Sequence, residues 1–237
     1  ERGLTIQIAH IEYETDNRHY AQMSYTPVLE PADPGEVYRF YLEAARLSRQ
    51  HGMPELKVAA IPAFADNYIW LISTGGRHCA VVDPGDAIPV LEKLQRDGLE
   101  LAAILLTHHH ADHIGGVTQL VEATGAAVFG PDDPRIGGRF TALGDGETVE
   151  LAALGIDFGV MEVPGHTASH IAFHGHGCLF CGDTLFSVGC GRLFEGTAPQ
   201  MWDSLSRLAA LPPETIVCSG HEYTQANARF ALTIEPD

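Results

Sequence analysis

The stretch Thr107-His108-His109-His110-Ala111-Asp112-His113 constrains this chain more than any other. It follows directly on the apolar run Ala102-Ala103-Ile104-Leu105-Leu106, so side chains that bind borderline-soft divalent cations stand where a buried strand gives way to a loop. A rigid strand end aims them into one cleft. The spacing H-x-H-x-D-H sends His108 and His110 to one side of an extended turn and lets Asp112 and His113 reach a second point nearby, which suits two metal ions. Imidazole and carboxylate together fit zinc, iron or manganese. A tag-like or adventitious surface tract fits poorly, because tags are uninterrupted and terminal, whereas this stretch is interrupted and tied to a strand.

A chain of 237 residues with 45% hydrophobic content can bury a substantial core, as one large domain or one domain plus a small appendage. Lys and Arg number 14 against 31 Asp and Glu, a formal charge of −17, which opposes binding to phosphate backbones and anionic membrane surfaces. Neither nucleic acid nor membrane is expected as a partner, and no protein partner is inferred. Nothing apolar reaches transmembrane length, and the start at Glu1-Arg2-Gly3-Leu4-Thr5 has no signal-peptide core, so a cytoplasmic location is expected. The five cysteines, Cys79, Cys178, Cys181, Cys190 and Cys218, are an odd number and argue against a disulfide framework.

Residues 1–56 differ in character from the rest and are expected to form an appendage to a domain over 57–237. Leu4 to Tyr13 alternates in places as a strand would. Asp33-Pro34-Gly35-Glu36 predicts a helix start, with the helix running to Gln50 and closing at Gly52. The segments Glu1 to Ile6, His10 to Thr15 and Asn17 to Ala21 resemble part of the GTP-binding domain of translation elongation factor Tu. The chain has no G-x-x-x-x-G-K-[ST] phosphate loop and no N-K-x-D, so a GTPase is excluded and a fused fragment without nucleotide function is expected.

From Lys57 an α/β alternation sets in. Strands are predicted at Val58–Ile61, Asn67–Ile72, Cys79–Asp83 and 102–106, then at Ala127–Phe129, Glu147–Leu151, Ile156–Val163, Ser169–Phe173, Cys178–Cys181 and Thr215–Cys218. Asp86 caps a predicted helix over 87–97 with Ile88, Leu91 and Leu94 on its apolar face and Gly98 at its end. Further helices are predicted after Gly115-Gly116 up to Gly125, near Met201–Leu211, and over Tyr223–Leu232.

Three more candidate ligands sit in the same context as the histidine stretch, in loops directly after strands: Pro164-Gly165-His166-Thr167, Gly182-Asp183-Thr184 and Ser219-Gly220-His221-Glu222. In each, glycine allows a sharp turn that leans one side chain into a cleft. One such residue is usually a satisfied loop group; all of them, in order, after H-x-H-x-D-H are far more specific.

With these motifs, and with Asp66-Asn67-Tyr68-Ile69-Trp70, Cys181-Gly182-Asp183-Thr184-Leu185-Phe186, Gly189-Cys190-Gly191-Arg192-Leu193-Phe194-Glu195-Gly196-Thr197 and His221-Glu222-Tyr223-Thr224, the chain from Lys57 resembles the metallo-β-lactamase superfamily and, within it, the hydroxyacylglutathione hydrolases (glyoxalase II). The resemblance implies an α/β fold, a four-layer αββα sandwich, with two divalent metal ions, zinc first and iron or manganese as alternatives. It implies that His108, His110 and His166 hold one ion, that Asp112, His113 and His221 hold the other, and that Asp183 bridges them. Asp112 and Asp183 are the implied catalytic carboxylates, Asp112 also orienting the attacking hydroxide. Arg192, Phe194, Tyr223 and Asn227 match positions that line a glutathione site, Phe194 standing where some members have tyrosine. The implied reaction is hydrolysis of a glutathione thioester. Similar enzymes continue past the segment at Glu235-Pro236-Asp237 into a helical substrate domain, whose absence here is expected to weaken substrate binding.

The C-x-x-C spacing of Cys178 and Cys181 reads as core strand, since it lacks a helix N-terminus and a second pair. His109 is expected to point away from the ligands on either side of it, in packing or a supporting hydrogen bond. His170, His174 and His176 are expected at the surface, and Met161 and Trp202 in the core. The competing readings are a one-iron persulfide dioxygenase of the same superfamily, a hydrolase of another ester, thioester or lactam, and a non-catalytic binding protein.

Overall fold

The computed structural model describes residues 6–15, 18–27 and 56–234. Ile6–Thr15 (β1) and Arg18–Pro27 (β2) pair as an antiparallel hairpin. One sheet takes Lys57–Ala63 (β3), Asn67–Ser73 (β4), His78–Val82 (β5), Glu100–Leu105 (β6), Ala127–Pro131 (β7) and Thr141–Leu143 (β8) in that order. Its first three strands pair antiparallel and the rest parallel. In the second, seven-stranded sheet β1 and β2 lie at one edge, and four of the other strands come from residues 148–182. These are Thr148–Leu151 (β9), Ile156–Glu162 (β10), Ile171–Gly175 (β11) and Cys178–Gly182 (β12). A small hairpin follows, Leu185–Phe186 (β13) with Gly189–Cys190 (β14), and Ile216–Ser219 (β15) closes the set between β2 and β12. The helix predicted over 34–50 lies outside the described residues.

Alternation along the strands explains why two sheets stack. In β4, Trp70 and Ile72 point into a core shared with Phe158, Phe173 and Phe180 of the second sheet, while Ile69 and Leu71 point the other way. That other face is covered by the helices Ala87–Asp97 and Val117–Thr124 through Ala87, Val90, Leu94 and Leu120. The second sheet repeats the arrangement: Cys178 and Phe180 face inward, and Leu179 and Cys181 pack outward against Leu208 of the helix Ala198–Ala209. Central strands buried on both faces are apolar throughout, which is why β6 and β12 read as continuous hydrophobic runs. The layers are therefore α, β, β, α, as the resemblance implied.

Local signals hold each helix where it lies. Asp86 Oδ1 accepts the Ile88 amide at 2.9 Å and Gly98, at φ 65°, closes the far end. Thr197 and Gln200 form a reciprocal cap on the helix Ala198–Ala209. Two expectations fail on packing. Ile88 is 58% exposed, Val90 taking the buried place assigned to it, and Trp202 is 74% exposed rather than core. The covering helices are one-sided, so a large apolar residue one position off the stripe stands in solvent. Among the described residues no helix is long and apolar enough to cross a membrane.

Candidate metal centre

All the candidate ligands lie at one edge of the stacked sheets, just past the ends of β6, β10, β12 and β15. Past β6, the Thr107 amide and hydroxyl both donate to the Asp83 carboxylate, at 2.8 and 2.6 Å, pinning the loop before the first histidine. Asp83 itself holds φ at 53°, a conformation that L residues rarely adopt and that these bonds maintain. The backbone then stays extended to His110, whose carbonyl accepts the His113 amide at 2.9 Å and opens a one-turn helix, Ala111–Ile114. The turn read from the sequence is thus extended in its first half and helical in its second. At the end of β12, Gly182 sits at φ 48°, and a Cβ there would lie 2.2 Å from Thr107 Oγ1. Only glycine lets the two loops approach so closely.

The side chains meet in two adjacent groups. In the first, His110 Nδ1 lies 3.1 Å from His108 Nε2 and 3.0 Å from His166 Nε2, and Asp183 Oδ2 is 3.4 Å from His166 Nε2. In the second, His113 Nε2 and His221 Nε2 are 3.3 Å apart, with Asp112 Oδ2 at 3.5 and 3.4 Å from them. Asp183 also faces this group, Oδ1 at 3.4 Å from His113 Nε2 and Oδ2 at 3.3 Å from His221 Nε2. Within each group the donor atoms all lie within 4.8 Å of one another.

The donor set can be tested against the cations that the resemblance implies. Metal–nitrogen bonds of about 2.0–2.1 Å in a tetrahedral site put ligand nitrogens roughly 3.3 Å apart, close to the separations found here. On three of the histidines the far ring nitrogen meets a carbonyl or carboxylate acceptor. His166 Nδ1 donates to the Arg192 carbonyl at 2.8 Å, His221 Nδ1 meets Asp66 Oδ1 at 2.9 Å, and His113 Nδ1 meets Asp83 Oδ2 at 3.1 Å. A carbonyl or carboxylate partner fixes the proton on the far nitrogen and leaves the near lone pair facing the cleft. Asp183 Oδ1 is buried and makes no hydrogen bond. Lone pairs converging on one point with a buried, unsatisfied carboxylate oxygen are what a pair of divalent cations requires, so the residues fit.

Electrostatics agree. Burial, and then the neighbouring His113, hold His108 well below its ordinary range, and burial likewise lowers His110 and His166. Burial also opposes a proton on His113, but the carboxylates of Asp183 and Asp83 outweigh it and raise this histidine to about 10. On His221 burial is again outweighed, here by Asp112, Asp183 and Asp66, which raise it to about 10. Burial works against the Asp183 carboxylate too, yet His113 and His221 hold it well below the usual range, and the hydrogen bond to His221 does the same for Asp112. The carboxylates around the second group thus favour positive charge there, and a cation taken up would compete with protons for the same nitrogens.

Around the groups, His109 turns away from its neighbours as expected and faces Asp133 and Glu195. His170 departs from expectation: it is 0% exposed, its ring stacks on His108 at 4.6 Å and 16°, and its Nε2 accepts the Asp183 amide at 3.2 Å. Its Nδ1 lies 3.0 Å from the Ile171 carbonyl, so the ring carries its proton there, and burial lowers its pKa to about 3. His174 is half-buried and His176 exposed, the latter as expected, Met161 packs beneath the helix Ala198–Ala209, and Cys178 and Cys181 are core as read. Phe194 is 58% exposed and sets its ring edge-on 5.5 Å from His110 and 5.3 Å from His166, with the Arg192 guanidinium 5.2 Å above it. Tyr223 stacks on His221 at 5.0 Å, and burial, then Asp66, raise its hydroxyl to about 12. Asn227 donates to the Ser187 carbonyl at 2.9 Å, fastening the β13–β14 hairpin. Sequence reading gave no role to Asp83, Asp66 or Asn67, the last donating to Asp112 Oδ2 at 3.0 Å. Their signal was present in the strand ends at Asp83 and in Asp66-Asn67, but which ligand each supports depends on contacts remote in sequence.

Residues 64–221 match the family profile described as the Metallo-beta-lactamase superfamily. That profile does not reach residues 1–21, and none of these comparisons supports the elongation-factor resemblance expected there. Among curated proteins, the chain is 58% identical over 182 residues to the hydroxyacylglutathione hydrolase of Xanthomonas campestris pv. campestris strain B100, covering 76% of this chain and 71% of that protein. It is 58% identical over 182 residues to the hydroxyacylglutathione hydrolase of Aeromonas salmonicida strain A449, covering 76% and 70%. Among solved structures, TTHA1623 in a di-iron-bound form superposes with a TM-score of 0.59 at 33% identity, covering 70% of this chain and 92% of that one.

Proposed function

The chain belongs to the metallo-beta-lactamase superfamily and to its hydroxyacylglutathione hydrolase group, and on that premise we propose that it hydrolyses glutathione thioesters, S-D-lactoylglutathione first, to glutathione and the free hydroxy acid. The observation that carries the reading is the convergence of His108, His110, His166 and Asp183 beside Asp112, His113 and His221. In this reading the first three histidines hold one divalent ion, Asp112, His113 and His221 the other, and Asp183 is shared. Nitrogen and carboxylate donors suit zinc, iron or manganese, zinc being the first choice here, while TTHA1623 is a structural relative solved in a di-iron-bound form. When bound, two such ions supply a water acidic enough to ionise near neutral pH and polarise the carbonyl under attack.

The chain's own side chains do the rest. Asp112, whose side chain is 43% exposed and whose Oδ2 is held by Asn67, faces the cleft and orients the attacking water. The water oxygen adds to the thioester carbonyl carbon, the carbon–sulfur bond breaks, and the sulfur leaves as the glutathione thiolate. Phe194 and Arg192 stand beside the first group, and Tyr223 beside the second, where they can line the bound tripeptide. Asn227 acts through the β13–β14 hairpin that it fastens. Residues 57–237 form the catalytic domain in this reading and 1–56 an appendage without a part in the chemistry.

Metal analysis of the purified protein, coupled to an S-D-lactoylglutathione hydrolysis assay on the same preparation, tests the proposal. Two ions per chain with hydrolysis is the expected result. One iron per chain with oxygen uptake and no hydrolysis would replace it with the dioxygenase reading, and neither metal nor turnover would leave a binding protein.

A further inference from the structure

His109, set between two ligands, faces an ion network that the hydrolytic reading does not use, without a hydrogen bond from its buried Nδ1. Asp133, in the loop after β7, is 2% exposed. Its Oδ1 accepts from Arg135 N at 3.0 Å and Nε at 2.8 Å, and its Oδ2 from Arg135 Nη2 at 2.7 Å and Ser169 Oγ at 2.5 Å. His109 Nδ1 lies 3.4 Å from Asp133 Oδ2, and His109 Nε2 lies 3.6 Å from Glu195 Oε1. The Arg135 guanidinium continues to Glu195, Nη1 pairing with Oε1 and Nη2 donating to Oε2 at 3.2 Å. Glu195 Oε2 also accepts the Ala168 amide at 2.8 Å.

These residues come from both halves of the sandwich. His109, Asp133 and Arg135 follow β6 and β7 of the six-stranded sheet, whereas Ala168 and Ser169 follow β10 of the other sheet and Glu195 follows β14. The first ligand group is divided in the same way, His108 and His110 against His166. His110 Nδ1 is held 3.1 Å from His108 Nε2 and 3.0 Å from His166 Nε2, and nitrogens that turn lone pairs toward one another repel unless a cation or a scaffold keeps them there. A backbone bond from Ile171 N to Thr107 O, 2.9 Å, joins the halves one residue before His108. The ion network joins them again one residue after it.

We propose that Arg135 is a positioning residue: with Asp133 and Glu195 it clasps the two halves together at His109 and so presets the three-histidine group for its ion. This rests on the metal-binding reading above. A preset site binds more tightly because the convergence of its ligands need not be imposed by the ion, and Arg suits the task since one planar guanidinium engages two carboxylates at once.

The test is titration of the metal-free full chain with zinc ion against a chelating chromophore, for wild type, Arg135→Met and Glu195→Gln. In Arg135→Met one of the two ions should bind more weakly, by up to about 10-fold, the lower end of the range for direct outer partners of metal ligands since Arg135 bonds to no ligand itself, and the other should be unchanged. Turnover should return at saturating zinc. Glu195→Gln keeps an oxygen for the Ala168 amide but loses the ion pair, and should weaken the same ion by a smaller factor, so the result does not hang on how Arg135→Met folds. Unchanged affinities for both ions would overturn the clasp, as would equal weakening of both, which marks general loosening rather than positioning. A wild type that takes up no zinc would sink the metal reading itself, whereas two tightly held ions in wild type and variants alike would sink the clasp alone.

Discussion

Replacing His170 by leucine removes a side chain that touches no implied substrate yet is bonded to the backbone of Asp183. The His170 ring is fully buried, its Nε2 accepting the Asp183 amide at 3.2 Å and its Nδ1 facing the Ile171 carbonyl at 3.0 Å. Leucine fills similar space but offers no acceptor, and a buried N–H left without one costs about 1–3 kcal/mol. With a urea slope of about 1–3 kcal/mol/M, that is a fall in the unfolding midpoint of roughly 1 M for the metal-free protein, read by circular dichroism. His170→Gln is the control: its amide oxygen can take the Asp183 N–H and its NH2 can meet the Ile171 carbonyl, so it should recover most of the loss. The Asp183 carboxylate depends on this backbone position to face both ligand groups, so zinc retention should follow the same order, wild type above Gln above Leu. If Gln were no better than Leu, the hydrogen bond would not be what His170 supplies. If Leu matched wild type in both assays, the reading of His170 as a support of Asp183 would be refuted.

Asp183→Ala should abolish thioester turnover and lower bound metal, because its carboxylate faces both groups; two retained ions with full activity would remove it from the shared position. Gly182→Ala forces a Cβ to within 2.2 Å of Thr107 Oγ1 at φ 48°, and the overlap and backbone strain together should cost about 2–3 kcal/mol, a drop in Tm of roughly 5–10 °C by calorimetry. Glu195 is held at about 2 by the Arg135 guanidinium and the Ala168 amide, below the ordinary value. A depressed carboxyl stabilises the fold fully above its unfolded pKa of about 4.3 and loses that share as pH falls toward its folded one. The gap in urea midpoint between wild type and Arg135→Met should therefore be widest above about pH 4.5 and narrow toward pH 2; a gap constant with pH would show that the pair contributes no charge-dependent stability. Expressing residues 55–237 alone should preserve metal content, and an insoluble or metal-free product would show that the front segment completes the domain.

Periodicity determined much of this molecule locally. Strands such as β4 and β12 bury both faces, so their apolar runs are written in the chain, and the caps at Asp86, Thr197 and Gly98 are set by neighbours within a few residues. The candidate ligands were equally legible, because each chemically distinctive side chain follows directly on an apolar strand. What only the tertiary structure decided is which groups support them. Asp83 reaches Thr107 and His113, Asp66 reaches His221, His170 lies under His108, and Asp133 meets Arg135, Ser169 and His109. The sequence placed His170 at the surface because a histidine ahead of a strand is ordinarily solvated, and placed Trp202 in the core because tryptophan ordinarily is. Burial depends on where the facing layer ends, and that edge is set by the packing of two sheets whose strands are far apart in the chain.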